Sequence, residues 1–165
     1  MGAGRLTRAL GVMTRPGDIF VVRDKGRAVG LVQYVARDAT QLSSHVVAGF
    51  RLPDTEQLAL RAEDVPIFYA HVALPVGVTH GVFEHVGSRP ISVTTAVPFR
   101  VSNDYGTGVF ISSDWSVWIL GGPMRHVSKL SEQEKQYDLG LVINPFSIAA
   151  RLNSGSWDFV YPQPR

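Results

Sequence analysis

There is no cysteine among the 165 residues of this chain. That removes disulfides, thiolate nucleophiles and thiolate metal sites, and it is compatible with a reducing cytoplasm. Long apolar runs are missing too, since the longest stretches fall well short of the roughly 20 residues that a bilayer span requires. No membrane partner is expected. Residues 1–14 break up their apolar positions with Gly4, Arg5, Arg8 and Gly11, so no continuous hydrophobic segment exists for secretion. Leu6 stands where myristoylation asks for Ser or Thr. A strong charge of either sign is also lacking. The balance of 16 basic and 14 acidic residues, formally +2, exerts little pull on a phosphate backbone, so nucleic acid is not an expected partner.

What is present is an ordinary globular composition, 45% hydrophobic and 18% charged, which argues against disorder and against a coiled coil. The length suits one domain. Residues 1–15 read as a flexible arm ending near Pro16-Gly17, and residues 16–165 as a single folded unit. Residues 18–22 and 28–36 flank the turn-forming Asp24-Lys25-Gly26 and predict a β-hairpin. Gly30 inside the second strand predicts a bulge or sharp bend where a side chain would not fit. The pattern is similar to the opening of SH3-like barrels.

Further strands are predicted over 45–51, 67–74, 78–84, 90–97, 114–120 and 157–161, with a loop over 101–108. Three short helices are predicted from capping signals. Asp54 with Gln57 starts one over 55–62, Ser131 with Glu134 one over 132–139, and Asn144 followed by Pro145 one over 145–153. The fold class expected is α+β, mainly β, with a curled antiparallel sheet of SH3-like barrel character.

Chemical motifs are weak. His71, His80 and His85 lie close in sequence, but the spacing of five puts His80 and His85 on opposite faces of a continuous strand and no carboxylate completes a ligand pattern, so no metal site is expected. Asp104, Asp114 and Glu84 are the candidate acid–base groups, each at a turn or strand end where Asp and Glu serve backbone hydrogen bonding. Gly106-Thr107-Gly108 lacks the final glycine and helix of a dinucleotide loop, and Ser112-Ser113 sits in no nucleophile elbow. No catalytic residue and no cofactor is expected. The tryptophans, with Tyr105 and Phe110, are candidates for an exposed aromatic anchor of the kind that dominates protein interfaces. Trp115 and Trp118 are three apart on a strand and face opposite sides, so one is expected in the core and the other free.

Several stretches carry a resemblance to a known family: Gly17-Asp18-Ile19-Phe20, Gly87-Ser88-Arg89-Pro90-Ile91, Trp115-Ser116-Val117-Trp118, Arg125-His126-Val127-Ser128-Lys129-Leu130, Ile148-Ala149-Ala150-Arg151-Leu152 and Gly155-Ser156-Trp157-Asp158-Phe159-Val160-Tyr161-Pro162. From residue 18 to 161 the chain resembles the immunity protein 26 family of bacterial polymorphic toxin systems. Phe83 occupies a position where that family is expected to have tryptophan. The resemblance implies an immunity-type domain that binds and neutralises a cognate toxin protein in the cytoplasm, without turnover. Asp104, Tyr105, Asp114 and Trp118 are the expected partner-binding residues, with Asp54 a further source of acidic surface. The alternatives are an SH3-like-barrel protein directed at nucleic acid, as in ribonuclease toxins, and a small-molecule-binding scaffold.

Overall fold

A computed structural model describes residues 14–54, 58–91, 96–104 and 106–165; most of the expected arm lies outside them. Strands hold 41% of the chain and helices 13%, so the molecule is mainly β. The opening hairpin forms as expected from β1 (Asp18–Asp24) and β2 (Arg27–Asp38). Lys25 and Gly26 both take positive φ, at 49° and 80°, the conformation that a two-residue hairpin turn demands. A bulge sits beside Gly30: Val22 pairs with Gly30 and Arg23 with Ala28, leaving Val29 unmatched. A Cβ on Gly30 would lie 2.8 Å from the Phe50 carbonyl oxygen and 2.9 Å from a Leu152 methyl, so no larger side chain fits.

The strands β3 (Ser44–Arg51), β4 (Phe68–Val72) and β5 (Phe83–Ser88) extend this hairpin into an antiparallel sheet. A short β11 (Val142–Ile143) joins its edge in parallel, giving the order β11-β4-β3-β2-β1-β5. The second sheet comprises β6 (Pro98–Ser102), β8 (Trp115–Ile119), β9 (Arg125–Val127) and β10 (Asp138–Leu139) in the order β10-β6-β8-β9. A two-stranded pairing of β7 (Ile111–Ser112) with β12 (Gln163–Pro164) completes the set. Among the described residues no closed barrel is found.

Alternation along the strands decides the layers. Phe20, Val22, Val32, Val47, Phe68 and Val72 share a cluster with Ile148 and Ala149 of α2 (Pro145–Ser154) and Leu74 of α1 (Leu74–Thr79). On the other face Ile19, Val21, Leu31, Ala48 and Phe50 lie under Leu58, Leu60, Ile91 and Leu120. Further along that face Val46 meets Val97, Phe99 and Trp118 of the second sheet. Phe20, Leu31, Leu74 and Ile148 are fully buried, each stabilising the fold by about 1.5–3 kcal/mol relative to exposure. The segment 138–143 belongs to both sheets, because β10 pairs with β6 while β11 pairs with β4. Gly140 between them is needed for close packing: a Cβ there would stand 2.0 Å from the Trp118 ring.

Local signals failed where tertiary burial outvoted them. Of the helix expected over 55–62, residues 55–57 lie outside the described residues and 58–62 are not helical. Leu58 and Leu60 instead pack onto the sheet at a spacing of two, the period of an extended chain. Of the strand expected over 78–84, residues 78–79 end α1, which has Pro75 in its first turn, residues 80–82 form a turn, and only residues 83–84 are strand, where β5 begins. The capping box of Ser131 and Glu134 is real, with reciprocal bonds of 2.8 and 3.2 Å. It starts only a 3-10 turn (Glu134–Gln136), after which the backbone extends to pair as β10. The third helix stands as α2, its Asn144 side chain accepting from the Phe146 N–H at 2.9 Å and Gly155 closing it at φ 84°. Of the strand expected over 90–97, residues 92–95 lie outside the described residues; the strand runs over Pro98–Ser102, so residues 101–102 are not loop. Residues 157–161 pair with no strand, although Trp157 and Phe159 face inward against two clusters with the alternation of an extended chain.

Candidate protein-binding surface

Antiparallel β6 and β8 meet at Ser102 and Trp115, so residues 103–114 form the connection at that end of the second sheet. The Asn103 N–H donates to the Asp114 carbonyl at 2.8 Å and closes the base of the loop. Asp104 accepts from the Ser112 hydroxyl at 2.8 Å and the Ser113 N–H at 3.2 Å, and Ser102 Oγ accepts from the Asp104 N–H at 3.1 Å. Asp114 accepts from the Asn103 side-chain amide at 2.7 Å and faces the Nε2 of His126 on β9. Those two contacts hold the Asp114 carboxyl below its ordinary range, the Asn103 amide contributing most. The two carboxylates expected to bind a partner therefore bound one loop and are fixed in place by donors.

Phe110 and Ile111 project from the same loop with 66% and 64% exposure, and Val160, just before the β12 strand that pairs with β7, is 67% exposed. Exposed Phe110 and Ile111 thus share one connection with two hydrogen-bonded carboxylates. Tyr105 lies outside the described residues. Asp54, exposed, follows the end of β3 in the first sheet and does not join this group. Glu84 is on β5, paired with Arg23 at 2.6 Å.

Trp118 requires a correction. It is only 3% exposed, and so is not free to anchor a partner. Trp115 and Trp118 do face opposite sides of β8, but both sides are covered: Trp118 packs toward the first sheet with Val46 and Phe99, while Trp115 packs with Leu130, Leu139 and Tyr161. Phe110 takes the exposed role instead. His126 was not singled out by sequence reasoning, and nothing local in the sequence marks it as a partner for Asp114.

The Trp118 indole donates to Asp38 at 3.3 Å, in a network between the two sheets. Asp38, with no exposure, also faces His71 Nε2 at 2.9 Å and accepts from the Thr40 hydroxyl at 2.9 Å and the Gln41 N–H at 3.1 Å. Burial alone pushes this carboxyl up, yet the donors led by His71 outweigh it and hold it at about 2. Burial lowers the His71 imidazole, against the pull of Asp38. With both side chains shut off from solvent the pair ties β2 to β4 within the first sheet and cannot reach a solute, and the Trp118 indole joins it to the second.

The three histidines do not converge. His71 on β4 and His85 on β5 have β3, β2 and β1 between them, a separation of about 19 Å at the usual strand spacing. His80 follows α1 beside the Phe146 ring. Among the described residues no group of three metal-ligating side chains exists, and no helix is long and apolar enough to cross a membrane.

Comparison of the chain with protein-family models, with curated proteins and with solved structures finds no match in any of the three.

Proposed function

We propose that this chain is an immunity-type protein that neutralises a cognate toxin in the cytoplasm by stoichiometric binding through the loop of residues 103–114. The observation that carries the reading is the pairing of exposed Phe110 and Ile111 with Asp104 and Asp114, whose side chains are already held by hydrogen bonds. A rim ordered before encounter loses less entropy on association, and its negative charge steers a basic partner such as a nuclease toxin. The family resemblance supplies the partner class. The bulges at Val29 and Val35 in β2 support a curled sheet related to SH3-like barrels, since each adds local twist.

The test is co-expression with the toxin encoded beside this gene, together with a pull-down of the two purified proteins. Rescue and a one-to-one complex are expected. Phe110→Ala should weaken that complex by at least about thirtyfold, the scale of a central aromatic anchor, and Asp104→Lys should act mainly on the association rate. Rescue without any complex, or turnover by this chain alone, overturns the reading.

A further inference from the structure

Beside that loop, β6, the 3-10 turn, β10, the end of α2 and the chain from 156 to 163 line an open cleft of about 370 Å³, within the size range of small-molecule sites. Its walls include Arg100, Lys135, Tyr137, Arg151, Trp157 and Phe159. Arg100 spends one bond on the Tyr137 carbonyl at 3.2 Å and lies 5.1 Å above the Trp115 ring, while its Nη1 is buried without a hydrogen-bond partner. Arg151 spends one on the Gly155 carbonyl and lies 5.5 Å above Trp157, and its Nε is likewise buried and unpartnered. Among the described residues neither guanidinium has a carboxylate within ion-pairing distance; Asp138, the acidic group in the cleft, accepts from the Tyr69 N–H instead.

A cation withdrawn from water is costly unless an anion meets it. Here Arg100, partly withdrawn from water, and the more exposed Arg151 line one opening and share Asp138 as the carboxylate that attracts both, beside Trp157 and Phe159 stacked at 26° and 5.6 Å. We propose that this cleft binds a small molecule carrying an oxyanion, carboxylate or phosphate, next to a planar ring. The oxyanion accepts from Arg100 and Arg151, whose forked donors match it. The ring lies along the Trp157–Phe159 wall, and Lys135, itself paired with Glu132 at 2.6 Å, adds charge at the rim. This site shares no lining residue with the residue 103–114 loop, so either reading can fail without the other.

The experiment titrates the full chain with phenyl phosphate, benzoate, inorganic phosphate and phenol by calorimetry. Saturable binding of one phenyl phosphate or one benzoate per chain is expected, with the tighter of the two identifying the oxyanion. Inorganic phosphate should bind at least tenfold more weakly and phenol not measurably. Arg100→Gln and Arg151→Gln should each reduce affinity at least tenfold, and Phe110→Ala should leave it unchanged. Because the arginine variants risk misfolding, the indole N–H resonances of the wild-type protein give a second readout: Trp157 should shift on titration and Trp118 should not. No saturable binding, equal binding of phenol, folded arginine variants of unchanged affinity, or a shift at Trp118 without one at Trp157 overturns the proposal.

Discussion

Asp38, fully buried, and Asp138, partly buried, both sit where the two sheets meet, yet their carboxyl groups respond in opposite directions. Asp38 collects donors from His71, Gln41, Thr40 and Trp118 and is held at about 2 despite burial. Asp138 has one direct donor, the Tyr69 N–H, and burial drives it up to about 6 against the attraction of Arg151 and Arg100. Burial taxes both anions; the count of hydrogen bonds decides which one stays charged at low cost. The first therefore acts as a fastening and the second as a charge the fold tolerates.

The contrast breaks most visibly at Asp38→Ala. Removing the carboxylate leaves the Trp118 indole and the His71 ring buried without their acceptor and takes the acceptor from the part-buried Thr40 and Gln41 N–H groups, and about 3–5 kcal/mol of stability should be lost. Urea denaturation at pH 7 measures it, and a loss below 1 kcal/mol would mean that the network is ornamental.

The next effect is read along the pH axis. Asp138 has a folded value above its ordinary 3.8, so its contribution is fully present below about pH 4 and is lost as pH rises through about 6. Asp38 has a folded value below 3.8, so its contribution is present above about pH 4 and is lost as pH falls through about 2; His71, lowered by burial, also loses stability toward acid. Asp138→Asn should therefore remove a decline of about 2–3 kcal/mol between pH 4 and 6 while leaving the acid limb below pH 4 in place. Chemical denaturation of wild type and variant across that range checks it as a difference, since His71 acts in the opposite direction; a difference between the two proteins that stays constant from pH 4 to 6 sinks the assignment.

The smallest effect sharpens the donor count. Trp118→Phe keeps an aromatic ring against Gly140 but removes one donor to Asp38, so stability should fall by about 1 kcal/mol. The acid limb should move to higher pH as the Asp38 carboxyl rises, and NMR titration of its side-chain carboxyl carbon reports this directly. An unmoved titration curve would assign the indole a packing role alone.

The parts of this arrangement that were legible in the sequence are those settled within a few residues. Lys25 and Gly26 fix the hairpin turn, and Asn144, Pro145 and Gly155 bound α2, because turn and cap chemistry is local. Asp104 and Asp114 could be read as loop residues for the same reason. Residues 58–62 and 137–139 could not be read, since Leu58 and Leu60 answer to a distant sheet and Asp138–Leu139 to β6. The burial of Trp118 was hidden because it depends on both faces of β8 being covered, by residues such as Val46 and Tyr161 far along the chain. Asp38 meets His71 and Trp118 across 33 and 80 positions, separations over which no spacing rule operates.

The six residues 138–143 also set how the molecule comes apart. A stretch that hydrogen-bonds to one sheet through Asp138–Leu139 and to the other through Val142–Ile143 transmits the opening of either sheet to its neighbour. Fraying of β6 strips β10, and through the short Gly140-Leu141 link it loosens β11 and the start of α2. The two sheets are therefore expected to unfold as one cooperative unit, with a single transition in urea followed by both Trp118 and Tyr34.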